Sequence, residues 1–272
     1  MTQPSLGLIL KVVGTDENRW EEEAKFVQAF DPDHVELWLE YPEGNETLSE
    51  RQLRRIRNLV KGVRITMHGP FWGKSLVTPH HKHRQVALDE LNRTLELGTE
   101  LKSELMTVHG GVFYLESLRK EIDYQAIFRE NLEELLSVAE AHGQILAIEN
   151  LPASPEPNRT YPTAIAELRE SLAFDPRLWG TFDVGHSMAN GEDPEAVLDG
   201  VLDRVINIHL HDFSPDRGSH QELGTGLLNL EGFIERLRGY DRFLTLEIID
   251  DEDGEKIRRS FARMRGLMRG DG

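Results

Sequence analysis

The feature that most constrains this chain is an alternation kept up along its whole length. Eight short runs rich in Val, Ile, Leu and Thr are each followed by a longer amphipathic stretch. The runs predict strands over Leu6–Gly14, His34–Glu40, Arg64–Pro70, Glu104–Gly111, Gln144–Leu151, Leu178–His186, Val205–Phe213 and Phe243–Ile249. Between them, apolar residues recur at helical spacing, as in Leu53, Ile56, Leu59 and Val60, or Phe128, Leu132, Leu135, Leu136 and Ala139. Asp193-Pro194 and Asp253-Gly254 predict helix starts, and Gly62 and Gly143 predict helix ends. Strands separated by helices need crossover connections, so neighbouring strands run parallel. Eight such units predict an α/β chain closed into one (β/α)8 barrel, a single domain over residues 1–272 with no linker to divide it. An open doubly wound sheet would need a glycine-rich phosphate loop after the first strand, and Val13-Gly14-Thr15-Asp16 offers one glycine.

Barrel chemistry gathers at the C-terminal ends of the strands. There the sequence places His68, His109, Glu149, Asp183, His209 and Glu247. Two residues earlier, on the same strand face, come Thr66, Thr107, Ala147, Thr181, Asn207 and Thr245. The opposite parity is apolar, with Met67, Val108, Ile148, Phe182, Ile208 and Leu246. A single strand-end histidine is most often structural. Six ionisable groups in phase at one barrel mouth are costly to bury unless a cation neutralises them.

Glu149, Asp183, His209 and Glu247 form an oxygen-rich donor set with one imidazole, suited to Mn2+, Mg2+, Co2+ or Zn2+. His68, His109, His186 and His220 are further imidazoles for a second ion or a substrate, although His186 and His220 also read as polar loop residues. His211 reads as an orienting group, a substrate contact or a solvent-facing residue. Asp212 would orient His209 or cap the following turn. Glu36, Trp38 and Glu40 alternate on the second strand; facing inward, they would bring a carboxylate and an aromatic wall to the site, while Trp38 in the core and Glu40 at the surface fit equally. His80, His81 and His83 read as a solvated helix start, and Glu21-Glu22-Glu23 as a solvated helix face.

Composition narrows the partners. With 31 basic and 48 acidic residues the net charge is −17, which disfavours nucleic acid and anionic lipid and favours small, neutral or metal-chelated substrates. The absence of cysteine removes disulfides, thiolate zinc sites and a cysteine nucleophile. No signal peptide or membrane span is expected, so the expected location is cytoplasmic. Nothing in the pattern sets the oligomeric state.

The pieces Ile65-Thr66-Met67-His68-Gly69-Pro70, Val108-His109-Gly110-Gly111, Ala147-Ile148-Glu149-Asn150 and Phe182-Asp183-Val184-Gly185-His186 together resemble the xylose-isomerase-like TIM barrel superfamily. Ile208-His209-Leu210-His211-Asp212, His220 to Gly226 and Thr245-Leu246-Glu247 extend the likeness to the last strand. This superfamily holds sugar and sugar-phosphate isomerases and epimerases, and endonuclease IV. In the sugar enzymes, the resemblance implies one cation on Glu149, Asp183, His209 and Glu247, with His186 touching substrate. The cation would stabilise an enediolate, and Glu149 and Glu247 would form the acid/base pair. In endonuclease IV, three zinc ions use these positions with His68, His109, His186, His220 and an aspartate. That aspartate falls here on Gly218, with Asp216 two residues out of register.

The leading expectation is therefore a divalent-metal-dependent isomerase or epimerase acting on a carbohydrate. An apurinic endonuclease is the alternative, and it would need basic loops at the mouth. The candidates are Lys74, Lys82, Arg119, Lys120 and Arg159, diluted by Glu116 and Glu121. A dehydratase of a cyclic polyol would use the same cation chemistry, and a non-enzymatic binding module would waste the converging carboxylates. Gly224-Thr225-Gly226 would offer amides to a phosphate or form a plain turn.

Overall fold

Side-chain parity decides how the eight apolar runs associate. In the second strand, Val35, Leu37 and Leu39 point to one side while His34, Glu36, Trp38 and Glu40 point to the other, so each face needs its own cover. In the computed structural model, which describes residues 3–13, 17–40, 49–114, 122–249 and 253–269, the strands solve this by closing on themselves. The barrel strands are β1 (Ser5–Val13), β2 (His34–Glu40), β3 (Arg64–His68), β4 (Leu105–Val108), β6 (Ile145–Glu149), β8 (Trp179–Asp183), β9 (Val205–Leu210) and β12 (Phe243–Leu246). All neighbours are parallel, in the closed order β1-β12-β9-β8-β6-β4-β3-β2.

Around them lie α1 (Glu17–Gln28), α2 (Glu50–Leu59), α3 (His81–Leu101), α4 (Tyr124–Ala141), α5 (Ile165–Leu172), α6 (Val184–Ala189), α7 (Pro194–Leu198), α8 (Leu230–Arg236) and α9 (Glu255–Arg269). The helix signals have physical partners. Asp193 accepts the Glu195 N–H with Pro194 in the first turn, and Asp253 accepts the Glu255 N–H. Gly62 and Gly143 follow α2 and α4 with φ of +87° and +67°. No helix among the described residues is long and apolar enough to cross a membrane.

Six expected strands end sooner than their apolar runs: β3 stops at His68, β6 at Glu149 and β12 at Leu246, two or three residues short, and the other three break into new elements. Glu104–Gly111 splits into β4 and β5 (Gly111–Tyr114), and Val205–Phe213 into β9 and β10 (Asp212–Ser214). Leu178–His186 stops at Asp183, where the Asp183 carboxylate accepts the His186 N–H and starts α6. Among the described residues, four short strands also lie outside the barrel. β5 pairs antiparallel with β7 (Asn158–Tyr161), inside the proline-rich stretch, and β10 pairs with β11 (Gly218–Gln221). Both ribbons follow barrel strands at the C-terminal mouth.

The main apolar core is a sleeve between strands and helices. It takes Leu6, Leu8, Leu10 and Val12 from β1, Leu37 and Leu39 from β2, and Phe128, Leu132, Leu135 and Leu136 from α4. Inside the barrel, a small apolar plug of Leu105, Ala147 and Phe243 closes the lower end. Above it the interior is polar: Glu36, Thr66, Thr107, Thr181, Asn207 and Thr245 have no exposed surface. Barrel interiors are usually filled with branched aliphatics, so this polar filling marks the axis as built for something other than packing.

Candidate active site

At the upper end of this axis the strand-end residues converge as their shared parity requires. His209, fully buried on β9, turns Nδ1 toward three carboxylates: Glu247 Oε2 at 2.9 Å, Glu149 Oε1 at 3.3 Å and Asp183 Oδ2 at 4.0 Å. Its Nε2 faces Glu36 Oε1 at 3.0 Å. Glu149 is shared between groups, because its other oxygen lies 3.1 Å from His109 Nε2 and 3.4 Å from His68 Nε2. Asp183 divides its oxygens too. Oδ1 caps α6, while Oδ2 faces His211 Nε2 at 3.0 Å and His186 Nδ1 at 3.4 Å.

Three adjoining donor groups result: Glu149–Asp183–His209–Glu247, His68–His109–Glu149 and His186–His211–His220, each with donor atoms within 4.8 Å of one another. The hydrogen-bond network assigns the imidazole tautomers. His68, His186 and His220 each give their Nδ1–H to a backbone carbonyl, of Gly69, Asn150 and Glu247 respectively. Their Nε2 atoms are thereby turned toward the site, the usual way a metal-binding histidine is oriented. His211 differs. Its Nδ1 accepts the His220 N–H at 2.8 Å, so its proton sits on Nε2 and points at Asp183. It is fully buried, which rules out the solvent-facing alternative, and it hydrogen-bonds Asp183. An ideal Cβ on Gly185 would come within 1.9 Å of the His211 ring, so this glycine makes room for it.

Burial penalises every charge here, and the carboxylate–imidazole contacts overrule it. Glu36, Asp183 and Glu247 are held below the usual carboxylate range and Glu149 well below it, chiefly by the facing histidines. His68 and His209 are raised, and His186 is pushed up to about 9 by Asp183 and Glu149. His109 and His220 go the other way, His220 to about 4, because burial and neighbouring imidazoles outweigh the carboxylates.

The four-donor group fits a divalent cation. Glu247 Oε2 is buried without a hydrogen-bond partner, 2.9 Å from a nitrogen whose own proton is directed to Glu36. Lone pairs that close are reconciled only by a proton or a cation between them. A cavity of about 1090 Å³ opens over these donors. One wall is aromatic, with Trp38 stacked on Phe71 at 5.6 Å and Trp72 at the rim. Glu40 is buried rather than at the surface, and accepts the N–H groups of Phe71 and Trp72.

A family model for the xylose isomerase-like TIM barrel matches residues 24–267. The chain belongs to this family. It is 26% identical over 234 residues to an uncharacterized protein, MJ1311, of Methanocaldococcus jannaschii, covering 82% of this chain and 78% of that one. A D-tagatose 3-epimerase-like protein superposes with a TM-score of 0.79 at 20% identity over 97% of both chains. Endonuclease IV from Thermus thermophilus superposes with a TM-score of 0.72 at 21% identity, covering 98% of this chain and all of that one.

Within this xylose isomerase-like barrel several expectations change. Asp212 does not touch His209. Its carboxylate accepts four backbone N–H groups, of Phe213, Gly224, Gly226 and Leu228, at 2.8 to 3.0 Å. The Gly224 and Gly226 amides are thus engaged, and that turn does not present them to a phosphate. Asp216 is exposed and bonded to Ser214, so it does not stand in for the aspartate missing at Gly218. Of the basic candidates, Lys74 pairs with Glu90 at 2.9 Å and Arg159 pairs with Glu167. Lys82 lies exposed in the first turn of α3 beside the equally exposed His80, His81 and His83. Glu116, Arg119, Lys120 and Glu121 lie outside the described residues. Asn150 was not singled out by sequence, yet its amide makes a two-way bond with the Asp183 backbone at 2.8 and 2.9 Å, tying β6 to β8 beneath the donors. Its place directly after Glu149 was the available signal.

Proposed function

We propose that this chain is a divalent-metal-dependent isomerase or epimerase of a small carbohydrate, moving a proton at a carbon beside a carbonyl. The observation that carries the proposal is the convergence of Glu149 and Glu247. They come from strands separated by β8 and β9, and each brings an oxygen within 3.3 Å of His209 Nδ1. A substrate carbon between two such carboxylates can lose a proton to one and regain it from the other. A cation on Glu149, Asp183, His209 and Glu247 would supply electrostatic stabilisation of the negative charge that develops on the carbonyl oxygen. His186 and His220 line the cavity with Nε2 open to substrate hydroxyls, and the aromatic wall suits the C–H face of a sugar. The engaged amides of Gly224 and Gly226 favour a substrate without a phosphate at that turn.

The test is proton exchange. Protein loaded with Mn2+, Co2+ or Zn2+ is incubated with ketoses and aldoses in deuterated water. Deuterium appearing at the carbon next to the carbonyl supports the proposal, and its absence across the panel rejects it.

One observation favours a second reading, zinc-dependent phosphodiester hydrolysis of the endonuclease IV kind. Glu149 is common to two donor groups and Asp183 contacts a third, an arrangement suited to more than one ion. Two or three zinc ions per chain with cleavage of abasic-site DNA would establish it. Ion pairing of Lys74 and Arg159 and the net charge of −17 weigh against it.

A further inference from the structure

The polar filling of the barrel axis is a directed chain of hydrogen bonds that ends on His209. At its lower end, Ser5 Oγ and His34 Nδ1 lie 3.0 Å apart, and His34 Nε2 lies 3.0 Å from Thr245 Oγ1. Thr245 has one hydroxyl proton, and its two acceptors are Glu36 Oε2 at 3.0 Å and Asn207 Oδ1 at 3.1 Å; either way it is spent above, so Thr245 accepts from His34 Nε2–H and His34 Nδ1 accepts from Ser5. Asn207 Nδ2 donates to the same Glu36 oxygen at 2.8 Å, and Thr66 Oγ1 reaches it at 3.4 Å. The other oxygen, Oε1, is left for His209 Nε2 at 3.0 Å. Every member from His34 to His209 is without exposed surface, so water cannot replace a missing partner.

We propose that Glu36 is a positioning residue. It holds the His209 proton on Nε2, so that Nδ1 presents its lone pair to the point where Glu149, Asp183 and Glu247 meet, and thereby sets the affinity of that point for a divalent cation. Glu36 touches neither cation nor substrate. Its orientation is fixed by Asn207 and Thr245, and Thr245 in turn by His34. This rests on the four-donor group being a cation site, as proposed above.

Glu36→Gln tests it with nearly unchanged shape. Asn207 and Thr245 keep donating to the side-chain oxygen, which turns the new NH2 group toward His209 Nε2 and drives the imidazole proton to Nδ1. The dissociation constant for zinc, measured by chelator competition, should rise 10- to 100-fold, the usual effect of losing a partner behind a metal ligand. In zinc-saturated wild type, the His209 Nε2–H proton should appear far downfield in the NMR spectrum, and in Glu36→Gln it should vanish. Thr245→Val, which frees Glu36 without removing it, should weaken zinc in the same direction by less, and keeps the test alive should Glu36→Gln not fold. A merely structural role would lower the melting temperature of the zinc-free protein and leave affinity and the proton signal unchanged in the folded fraction. That result overturns the proposal. Wild type that binds no divalent ion overturns the cation site, and the proposal with it.

Discussion

A single methyl group at Gly7 probes the barrel axis from below. Gly7 pairs in register with both His34 of β2 and Thr245 of β12. An ideal Cβ there would lie 2.3 Å from His34 Cε1 and Nε2 and 2.5 Å from Cδ2, far inside van der Waals contact. The ring cannot slide away. Ser5 and Thr245 hold its two nitrogens, and it meets Phe243 edge-on at 4.9 Å. Overpacking of a filled core costs roughly 1–3 kcal/mol, and each of the two hydrogen bonds that must break adds about 1 kcal/mol. Stiffening of the unfolded chain returns about 0.4–1 kcal/mol. Gly7→Ala should therefore destabilise the protein by about 2–5 kcal/mol. Urea unfolding near neutral pH, followed by circular dichroism, measures it, and the same substitution made in a His34→Ala background isolates the contact. There the cost should fall below about 0.5 kcal/mol, because the obstructing ring is gone. A loss under about 0.5 kcal/mol in the wild-type background, or an equal loss in both, would refute the packing described for the axis.

Other consequences are as open to measurement. Glu149→Gln and Glu247→Gln should each lower turnover by at least about a hundredfold with an unchanged circular dichroism spectrum; full activity in either removes that residue from proton transfer. Asp212→Ala leaves four backbone N–H groups without their acceptor, and of these the buried one, Leu228, would cost about 1–3 kcal/mol unpaired. The amides of Gly224, Gly226 and Leu228 should then exchange with deuterium much faster, and unchanged protection would show the carboxylate to be dispensable. His34 is lowered from its ordinary 6.5 to about 4 by burial, the carboxylates nearby notwithstanding. Its folded form is neutral, so the stability it contributes is complete above pH 6.5 and lost as pH falls toward 4. That contribution is on the order of 3 kcal/mol. Wild type should lose about that much more than His34→Gln over this interval, and parallel pH profiles would contradict it.

The barrel is legible in the sequence because strand parity carries two messages at once. Ile65, Met67, Phe182 and Ile208 mark the sleeve, while Thr66, Thr181, Asn207 and Thr245 mark an interior that aliphatics do not fill. The same parity brings His68, His109, Glu149, Asp183, His209 and Glu247 together at the mouth, because residues in phase on adjacent parallel strands share a face. What periodicity does not carry is the ends of things. β8 stops at Asp183 because a side-chain oxygen takes the His186 N–H, a competition between strand and cap that the apolar run does not reveal. The ribbons β5–β7 and β10–β11 have strands three or four residues long, too short for an alternating pattern. Glu36 and Glu40 share one parity, and both are buried. One answers His209 and the other two backbone amides, a difference made by the chains opposite them. Asp212 likewise has two local options, and the turn through Gly224 and Gly226 selects one.

The separation of an oily sleeve from a polar axis bears on how such a chain can change over time. Leu6, Leu37 or Leu132 can be exchanged for other aliphatics with graded, local costs, since dispersion has no direction. Ser5, His34, Thr245, Glu36 and His209 each have a donor or acceptor role dictated by the neighbour, so one replacement reverses or breaks the sequence of roles beyond it. Drift in the sleeve can retune rigidity while the donor geometry persists. New substrates can then be acquired at the mouth, through the ribbons and the Trp38–Phe71–Trp72 wall, with the axis inherited as one block.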